Sequence, residues 1–251
     1  MCGTIRANIN MNLFDLSGEV AVVIGATGVL GGALAQGLAE AGAKVAVLGR
    51  NEERGQARVK SIQEKSGHAA FFSADAVSRE SLQGAHQKIS KELGTPTVLV
   101  NAAGGNDPKV TVTPERPFEQ IQLEDWLENF DLNLVGGVLF PCQEFGAAMA
   151  AQGRGSIINI ASVTAHIPLS RVVSYSAAKA ALLNVTALQV LSCDCHRSAQ
   201  ERLSGRPHRR HWPRCGGNRC PGCRKRLYGP LCGAGEPWDC ALHRQTRSRV
   251  T

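Results

Sequence analysis

The chain has 251 residues, nine of them cysteine, and a formal net charge of +7 at pH 7. This length is enough for one large domain with a buried core. The sequence has no run of about 18 apolar residues, and its first residues lack an apolar leader. We therefore expect neither a membrane partner nor an export signal.

The charge is unevenly distributed along the chain. Residues 1–191 carry 15 basic and 17 acidic side chains, whereas residues 192–251 carry 13 basic and 4 acidic ones. The second segment also holds seven of the nine cysteines and only five residues of the group Leu, Ile, Val and Phe. A segment with few large aliphatic side chains and a high net charge cannot bury a core. We predict an extension over residues 1–12, a domain over residues 13–191 and a disordered tail over residues 192–251.

Two interpretations of this tail are open. Its content of Arg, Cys, Gly and Pro is what GC-rich codons give when read out of frame, which favours a frameshifted or aberrantly joined C-terminus. The alternative is a module that binds metal through Cys220 and Cys223, or nucleic acid through its charge. Only one Cys-x-x-Cys pair is present and no fold accompanies the charge, so we predict no metal site and no specific nucleic-acid partner. Free thiols indicate a reducing cytoplasm.

The body alternates apolar runs with helical patterns, which predict strands and helices respectively. The predicted strands are Val20–Ile24, Lys44–Leu48, His68–Phe72, Thr97–Val100 and Ser156–Ile160. The predicted helices are Ala33–Ala41, Glu52–Lys65, Ser78–Leu93, Leu123–Gln152 and Tyr175–Leu191. Strands that are apolar throughout are typical of a parallel sheet covered by helices on both faces. The predicted fold class is α/β, with a doubly wound parallel sheet of five strands.

A glycine-rich turn follows the first strand. Gly25, Gly28 and Gly31 stand between this strand and a helix, where a pyrophosphate can rest on the helix N-terminus. The predicted second strand is followed by Gly49 and Arg50, where an acidic residue would favour NAD. A guanidinium pairs with a ribose 2′-phosphate, so we expect NADP, with NAD as the alternative. Arg50 could equally be a solvated loop residue.

The candidate catalytic residues are a tyrosine, a lysine and a serine. Tyr175 and Lys179 are four residues apart, so they share a helix face. An ammonium beside a phenol favours the phenolate, and we expect it to lower the pKa of Tyr175 below the usual value of about 10. Ser162, thirteen residues before the tyrosine, could donate a hydrogen bond to a substrate carbonyl oxygen. A Tyr-x-x-x-Lys spacing alone is a weak signal, because it also occurs on solvated helix faces.

Taken together, residues 13–190 resemble the short-chain dehydrogenase/reductase family. Six features match in order: the glycine turn, Asp75, the Asn-Ala-Ala-Gly motif at Asn101–Gly104, Asn133, Ser162 and the Tyr175–Lys179 pair. The resemblance implies a Rossmann-type fold. It also implies an oxidoreductase that interconverts a carbonyl and a secondary alcohol with a nicotinamide cofactor.

The resemblance further implies a role for each catalytic residue. Tyr175 would be the general acid–base, and Lys179 would assist it and hold the nicotinamide ribose. Ser162 would orient the carbonyl, and Asn133 would join a proton relay.

The remaining motif residues would bind the cofactor. Asp75 would meet the adenine ring. Asn101, Ala102 and Gly104 would line the cofactor cleft and steady the central strand.

Within the family, the sequence resembles those of members that act on sugar acids, of the D-mannonate oxidoreductase kind. A sugar carboxylate would need a cation near the tyrosine, and the candidates are Arg171, Lys109 and His166, with Arg171 preferred. Family members commonly pair through the helices corresponding to Leu123–Gln152 and Tyr175–Leu191, so a homo-oligomer is a hypothesis.

The chain departs from the family after about residue 190. The family continues with a further apolar strand and a Pro-Gly segment, which residues 192–251 do not show. We therefore expect an unpaired sheet edge and exposed apolar faces, and a chain that is poorly folded or inactive.

Overall fold

The structure is a computed structural model that describes residues 14–167 and 169–203, with side chains as far as residue 189. The chain divides into two compact units, residues 1–200 and 201–251, and almost all described residues belong to the first. The predictions for residues 1–12 and for the tail beyond residue 203 lie outside the described residues. The first part of the predicted disordered tail, residues 192–203, is instead helical and continues the last helix of the first unit to Leu203.

A parallel sheet of five strands forms the centre of the first unit, in the order β3-β2-β1-β4-β5. The strands are β1 (Val20–Ile24), β2 (Lys44–Gly49), β3 (His68–Ser73), β4 (Val98–Asn101) and β5 (Ser156–Asn159). The helices are α1 (Val29–Glu40), α2 (Glu52–Gln63), α3 (Arg79–Glu92), α4 (Leu123–Phe130), α5 (Phe140–Gln152) and α6 (Val173–Leu203). The predicted doubly wound α/β fold is confirmed.

The core lies on both faces of this sheet. Every residue of β1 is buried. Val22 packs on one face with Phe145 and Leu182, whereas Val23 packs on the other with Ile62. Burial on both faces explains why the strands read as continuous apolar runs instead of alternating patterns.

The strand order reverses between β1 and β4, which lie side by side in the sheet but are not consecutive. The loops that leave the carboxyl ends of these two strands run to opposite faces, and the crevice between them is where such sheets bind ligands. The glycine turn leaves β1 at this point, and the Asn101–Gly104 motif leaves β4.

Gly25 makes the close approach between these two loops possible. Its φ of +80° lies in the left-handed region, and a Cβ there would stand 2.8 Å from the backbone nitrogen of Ala103. Gly31 has no room for a side chain either, because a Cβ there would overlap the carbonyl group of Gly25. The glycine turn is therefore packed backbone to backbone against the loop after β4.

The predicted helix over residues 123–152 is interrupted. A π-helical segment, Asp131–Leu139, separates α4 from α5. A Cβ on Gly136 would stand 2.5 Å from the Val77 side chain, and one on Gly137 would stand 3.1 Å from the Ala103 carbonyl oxygen. The two glycines thus let this segment touch two loops at the crevice, and π-bulges are frequent at functional sites.

The stretch Leu123–Gln152 is long and apolar enough to cross a membrane by length and composition. Buried core helices meet the same criterion. Within this stretch Cys142, Phe145 and Met149 are buried in the core beside the sheet. Packing in the core therefore accounts for its apolar residues.

The last strand, β5, pairs on one side only among residues 14–167 and 169–203, and its neighbour is β4. The side chain of Ile158 is 44% exposed. Within this part of the chain β5 is an edge strand that presents unpaired backbone groups.

We predict that Gly25→Ala lowers the free energy of unfolding by at least about 2 kcal/mol, because it combines a left-handed φ with a backbone overlap. The matched control is Gly37→Ala in α1, where a Cβ would meet nothing within 4 Å. That change should raise the free energy of unfolding by about 0.5–1 kcal/mol. Urea denaturation of both variants measures the difference, and equal effects would contradict this account of the turn.

Candidate active site

The candidate site lies at the carboxyl ends of β1, β4 and β5. It combines the glycine turn, the loop after β4, the segment after β5 that holds Ser162, and the first turns of α6. The order of strands in the sheet brings these four segments together, although they are up to about 150 residues apart in the sequence.

The buried ammonium of Lys179 is the most unusual charge in this site. Lys179 is 5% exposed, and its Nζ donates a hydrogen bond of 2.8 Å to the carbonyl oxygen of Ile160. The same Nζ lies 5.7 Å from the centroid of the Tyr175 ring, so the two side chains share one helix face as the spacing predicted. Burial lowers the pKa of Lys179. No carboxylate pairs with it among the side chains described.

Gly104 is the point where the loop after β4 meets both the lysine and an asparagine. Its φ is +139°, and a Cβ there would lie 2.5 Å from Oδ1 of Asn133 and 3.7 Å from Nζ of Lys179. A side chain at residue 104 would therefore displace the amide oxygen of Asn133, whereas it would meet Lys179 at an ordinary contact distance.

Asn133 lies in the π-helical segment and is fully buried. Its Oδ1 accepts a hydrogen bond of 3.0 Å from the Gly105 nitrogen, and its Nδ2 donates to the Gly105 oxygen at 2.7 Å and to the Asn129 oxygen at 2.8 Å. The side chain thus fixes the loop after β4, and the proton-relay role of Asn133 stays a prediction.

Two residues that sequence reasoning missed help to hold this arrangement. Asn129 is buried, and its Nδ2 donates a hydrogen bond of 3.0 Å to the Gly105 oxygen. Its spacing of four residues from Asn133 was a signal that both face the same way. Ser174, also buried, donates from Oγ to the Trp126 oxygen at 3.0 Å and fastens α6 to α4.

Asn101 is the last residue of β4, and its side chain joins this strand to β5 and to α5. Its Nδ2 donates to Oδ1 of Asn159 at 2.8 Å and to Sγ of Cys142 at 3.3 Å. Asn159 in turn donates to Oγ1 of Thr186 on α6 at 2.9 Å. This partly buried chain of hydrogen bonds fits the expectation that Asn101 steadies the central strand, and the contact of Asn101 with a cofactor stays a prediction.

The other predicted residues lie around the crevice. Ser162 is half-buried, and its Oγ accepts a hydrogen bond of 3.3 Å from the Thr164 nitrogen. Ala102 donates from its backbone nitrogen to the Ile24 oxygen at 3.0 Å, next to the glycine turn. Asp75 is half-buried, and its Oδ1 accepts from the Val77 nitrogen at 3.1 Å.

Arg50 is exposed at the end of β2. The next residue, Asn51, is the N-cap of α2, because its Oδ1 accepts a hydrogen bond of 2.8 Å from the Arg54 nitrogen. The start of α2 is therefore fixed beside the position where Arg50 leaves the sheet.

Of the cations proposed for a substrate carboxylate, Lys109 is the weakest candidate. Its Nζ lies 3.4 Å from Asp125 and 3.6 Å from Glu128, and these carboxylates, Glu128 first, raise the pKa of Lys109. Arg171 and His166 are both exposed. The backbone oxygen of Arg171 accepts from the Val112 nitrogen at 2.9 Å, which ties the loop after β4 to the segment before α6.

No group of three or more metal-binding side chains occurs among the described residues. Cys220 and Cys223, which the alternative interpretation of the tail would use as metal ligands, lie outside the described residues.

The chain matches the short chain dehydrogenase family over residues 19–195. It is 37% identical over 180 residues to an uncharacterized oxidoreductase, UxuB, of Bacillus subtilis (strain 168), with 68% of this chain and 64% of the relative covered. The match to other curated relatives likewise spans 64% of their length.

Two solved structures are also similar. A candidate D-mannonate oxidoreductase from Haemophilus influenza with bound NAD has a TM-score of 0.67 and 32% identity, and the match covers 71% of this chain and 67% of that one. A gluconate 5-dehydrogenase from Burkholderia cenocepacia J2315, in complex with NADP and tartrate, has a TM-score of 0.62 and 29% identity, with 69% and 65% covered.

The family match, the sheet order and the Tyr175–Lys179 geometry agree, and the chain belongs to the short chain dehydrogenase family.

Proposed function

We propose that this chain is a nicotinamide-dependent oxidoreductase that interconverts a carbonyl and a secondary alcohol. The observation that carries the proposal is the buried ammonium of Lys179, which lies 5.7 Å from the Tyr175 ring, at the end of β5 and beside the loop after β4. A buried charge without a paired carboxylate is costly, and such charges are concentrated at functional sites.

The residues at the crevice fit a dinucleotide. The turn at Gly25 and Gly31 has no room for side chains, so the backbone itself lines this end of the crevice. The N-cap of α1, Gly28, makes no side-chain capping bond. The first N–H groups of that helix are therefore available to a pyrophosphate. When bound, the nicotinamide supplies or accepts the hydride.

The protein's own side chains handle the proton. In the reducing direction, the Tyr175 hydroxyl donates its proton to the substrate carbonyl oxygen, and in the oxidising direction the phenolate takes it back. Lys179 stabilises the phenolate by its positive charge, which is poorly screened because the side chain is buried. Ser162 donates a hydrogen bond to the same substrate oxygen and orients it.

A sugar acid is the proposed substrate class. The proposal is supported by the similarity to a candidate D-mannonate oxidoreductase and to a gluconate 5-dehydrogenase. Arg171 is the proposed partner of the substrate carboxylate, because it is exposed and lies two residues before α6 begins. Lys109 is set aside because Asp125 and Glu128 already balance its charge.

NADP is the proposed cofactor, with NAD as the alternative. The support is the guanidinium of Arg50 at the end of β2, where an acidic residue would favour a free ribose hydroxyl. The reduced activity expected from the composition of residues 192–251 stays a prediction.

Tyr175→Phe should lower turnover of a sugar-acid substrate at least 100-fold, because the general acid–base is lost while the ring remains. Initial rates followed by NADPH absorbance measure this effect. Undiminished turnover in the variant would contradict the proposal.

The control for the tail is a chimaera that joins residues 1–191 to the C-terminal third of the Bacillus subtilis relative. Higher turnover by the chimaera would confirm that residues 192–251 impair the enzyme, and Tyr175→Phe should abolish turnover in that background as well. Equal turnover by both proteins would show that the tail has no such effect.

Arg50→Ala should weaken NADPH binding about 10- to 100-fold, the loss expected for hydrogen bonds to a charged group, and change NADH binding less than about twofold. Fluorescence titration of each nucleotide gives both dissociation constants. Tighter binding of NADH than of NADPH to the unmodified chain would refute the proposed preference.

A further inference from the structure

Helix α6 forms hydrogen bonds with the end of β5 at two points. In its second turn, Nζ of Lys179 donates to the backbone oxygen of Ile160 at 2.8 Å. Two turns later, Oγ1 of Thr186 accepts a hydrogen bond of 2.9 Å from Nδ2 of Asn159, the last residue of β5. The candidate active site uses the first contact, whereas none of the roles assigned above uses Thr186.

Thr186 lies on the same face of α6 as the two candidate catalytic residues. Tyr175, Lys179, Leu182 and Thr186 follow one another at spacings of four, three and four residues, which align side chains along one side of a helix. Leu182, in the middle of this face, is buried in the core beside the sheet. A contact that fixes the direction of Thr186 therefore also fixes the direction in which Tyr175 leaves the helix.

The surroundings of Thr186 determine the direction of its hydrogen bond with Asn159. Oγ1 of Thr186 donates to the backbone oxygen of Leu182 at 2.8 Å, and its lone pairs are left to accept from Asn159. The amide of Asn159 must then turn its Oδ1 the other way, where Nδ2 of Asn101 donates to it at 2.8 Å. The hydrogen bonds thus run in one direction from β4 through β5 to α6.

Asn101, at the other end of this chain of hydrogen bonds, is also held in one orientation. Its Nδ2 donates to Sγ of Cys142 on α5 as well, at 3.3 Å, and both residues are buried. Its Oδ1 is buried and has no hydrogen-bond partner among the residues with described side chains. Reversing the amide would bring this oxygen up to Oδ1 of Asn159, and two acceptors repel each other. The nitrogen contacts therefore determine the orientation of Asn101.

Apolar packing by itself leaves the rotation of α6 about its axis poorly determined. The helix packs against the core through Leu182, Leu183 and Val185. Such burial is favourable in proportion to the area removed from water and has no preferred direction. A hydrogen bond weakens steeply away from its best angle, so the bond between Asn159 and Thr186 supplies the direction that the apolar contacts lack.

We propose that Thr186, held by Asn159, is a positioning residue that sets the rotation of α6 and thereby the place of the Tyr175 hydroxyl and the Lys179 ammonium. The Thr186 hydroxyl already donates one hydrogen bond and accepts another within the protein, so it acts through the helix and not on the substrate. Its effect on turnover rests on the proposed function, whereas its effect on the order of α6 does not.

The test compares three variants of the full chain. Thr186→Val keeps the shape of the side chain and removes the hydroxyl, whereas Thr186→Ser keeps the hydroxyl and serves as the conservative rescue. Asn184→Ala is the matched control, because Asn184 is exposed and lies two residues away on the same helix. Two properties are measured: amide hydrogen exchange of residues 173–189 by mass spectrometry, and initial rates with D-gluconate or D-mannonate and NADP. Urea unfolding verifies that each variant is folded.

Thr186→Val should raise the exchange rate of residues 173–189 about 10-fold, because the Asn159 amide loses its acceptor and no longer holds the helix. In the same variant kcat should fall about 10-fold, while the KM values for the sugar acid and for NADP change less than about twofold. The reason for this split is that a rotated helix misplaces the reacting groups but leaves the binding walls in place. Thr186→Ser should restore exchange and kcat to within about twofold, and Asn184→Ala should change neither.

Unchanged hydrogen exchange in Thr186→Val overturns the proposal, whatever the rates show. A kcat that stays the same, a KM that rises in its place, or a loss that Thr186→Ser does not rescue overturns it as well. Faster exchange that Thr186→Ser reverses, in a chain that turns over no substrate, would support the positioning of α6 and count against the proposed oxidoreductase function. Turnover that is lost in Tyr175→Phe but kept in Thr186→Val would do the reverse.

Discussion

The hydrogen bond from Lys179 to the Ile160 carbonyl oxygen is the contact on which the site depends. It joins α6 to the end of β5, and it places the ammonium next to Gly104 at the end of β4. Taking an ammonium out of water is costly, and one carbonyl oxygen repays only part of that cost. The electrostatic field of a buried charge is poorly screened, so the ammonium acts more strongly on the neighbouring tyrosine than it would in water.

Buried asparagines hold the loops around Lys179 in position by hydrogen bonds. Asn129 and Asn133 hold Gly105 from one side, and Asn101 links β4 to β5 through Asn159. Their hydrogen bonds hold the backbone at and beyond the end of β4, where the hydrogen bonds between strands no longer fix the chain. The glycines at the same edge let the loops touch without side chains between them, so the positions proposed for catalysis and for cofactor binding pack together with these loops.

The strands could be predicted from the sequence, because they depend on a local pattern of apolar residues. All five strands were predicted to within one residue at each end, because strands buried on both faces are continuous apolar runs. The start of α1 at Val29 was missed, since Gly31 and Gly32 were interpreted as part of a turn. The π-helical segment and the pairing of Lys109 were missed because both depend on loops that meet only after folding.

The most direct test of this account is Lys179→Met, with turnover and urea unfolding measured on the same protein preparation. We predict a loss of turnover of at least about 100-fold and a free energy of unfolding that is unchanged or higher, because a buried charge is replaced by an apolar side chain of similar length. Since burial lowers the pKa of Lys179 below its ordinary value of 10.5, the unmodified protein gains stability as the pH rises from that lowered pKa towards 10.5, and the stability advantage of the variant should shrink over the same range. Retained turnover together with a large loss of stability would show that Lys179 is structural and would contradict the account.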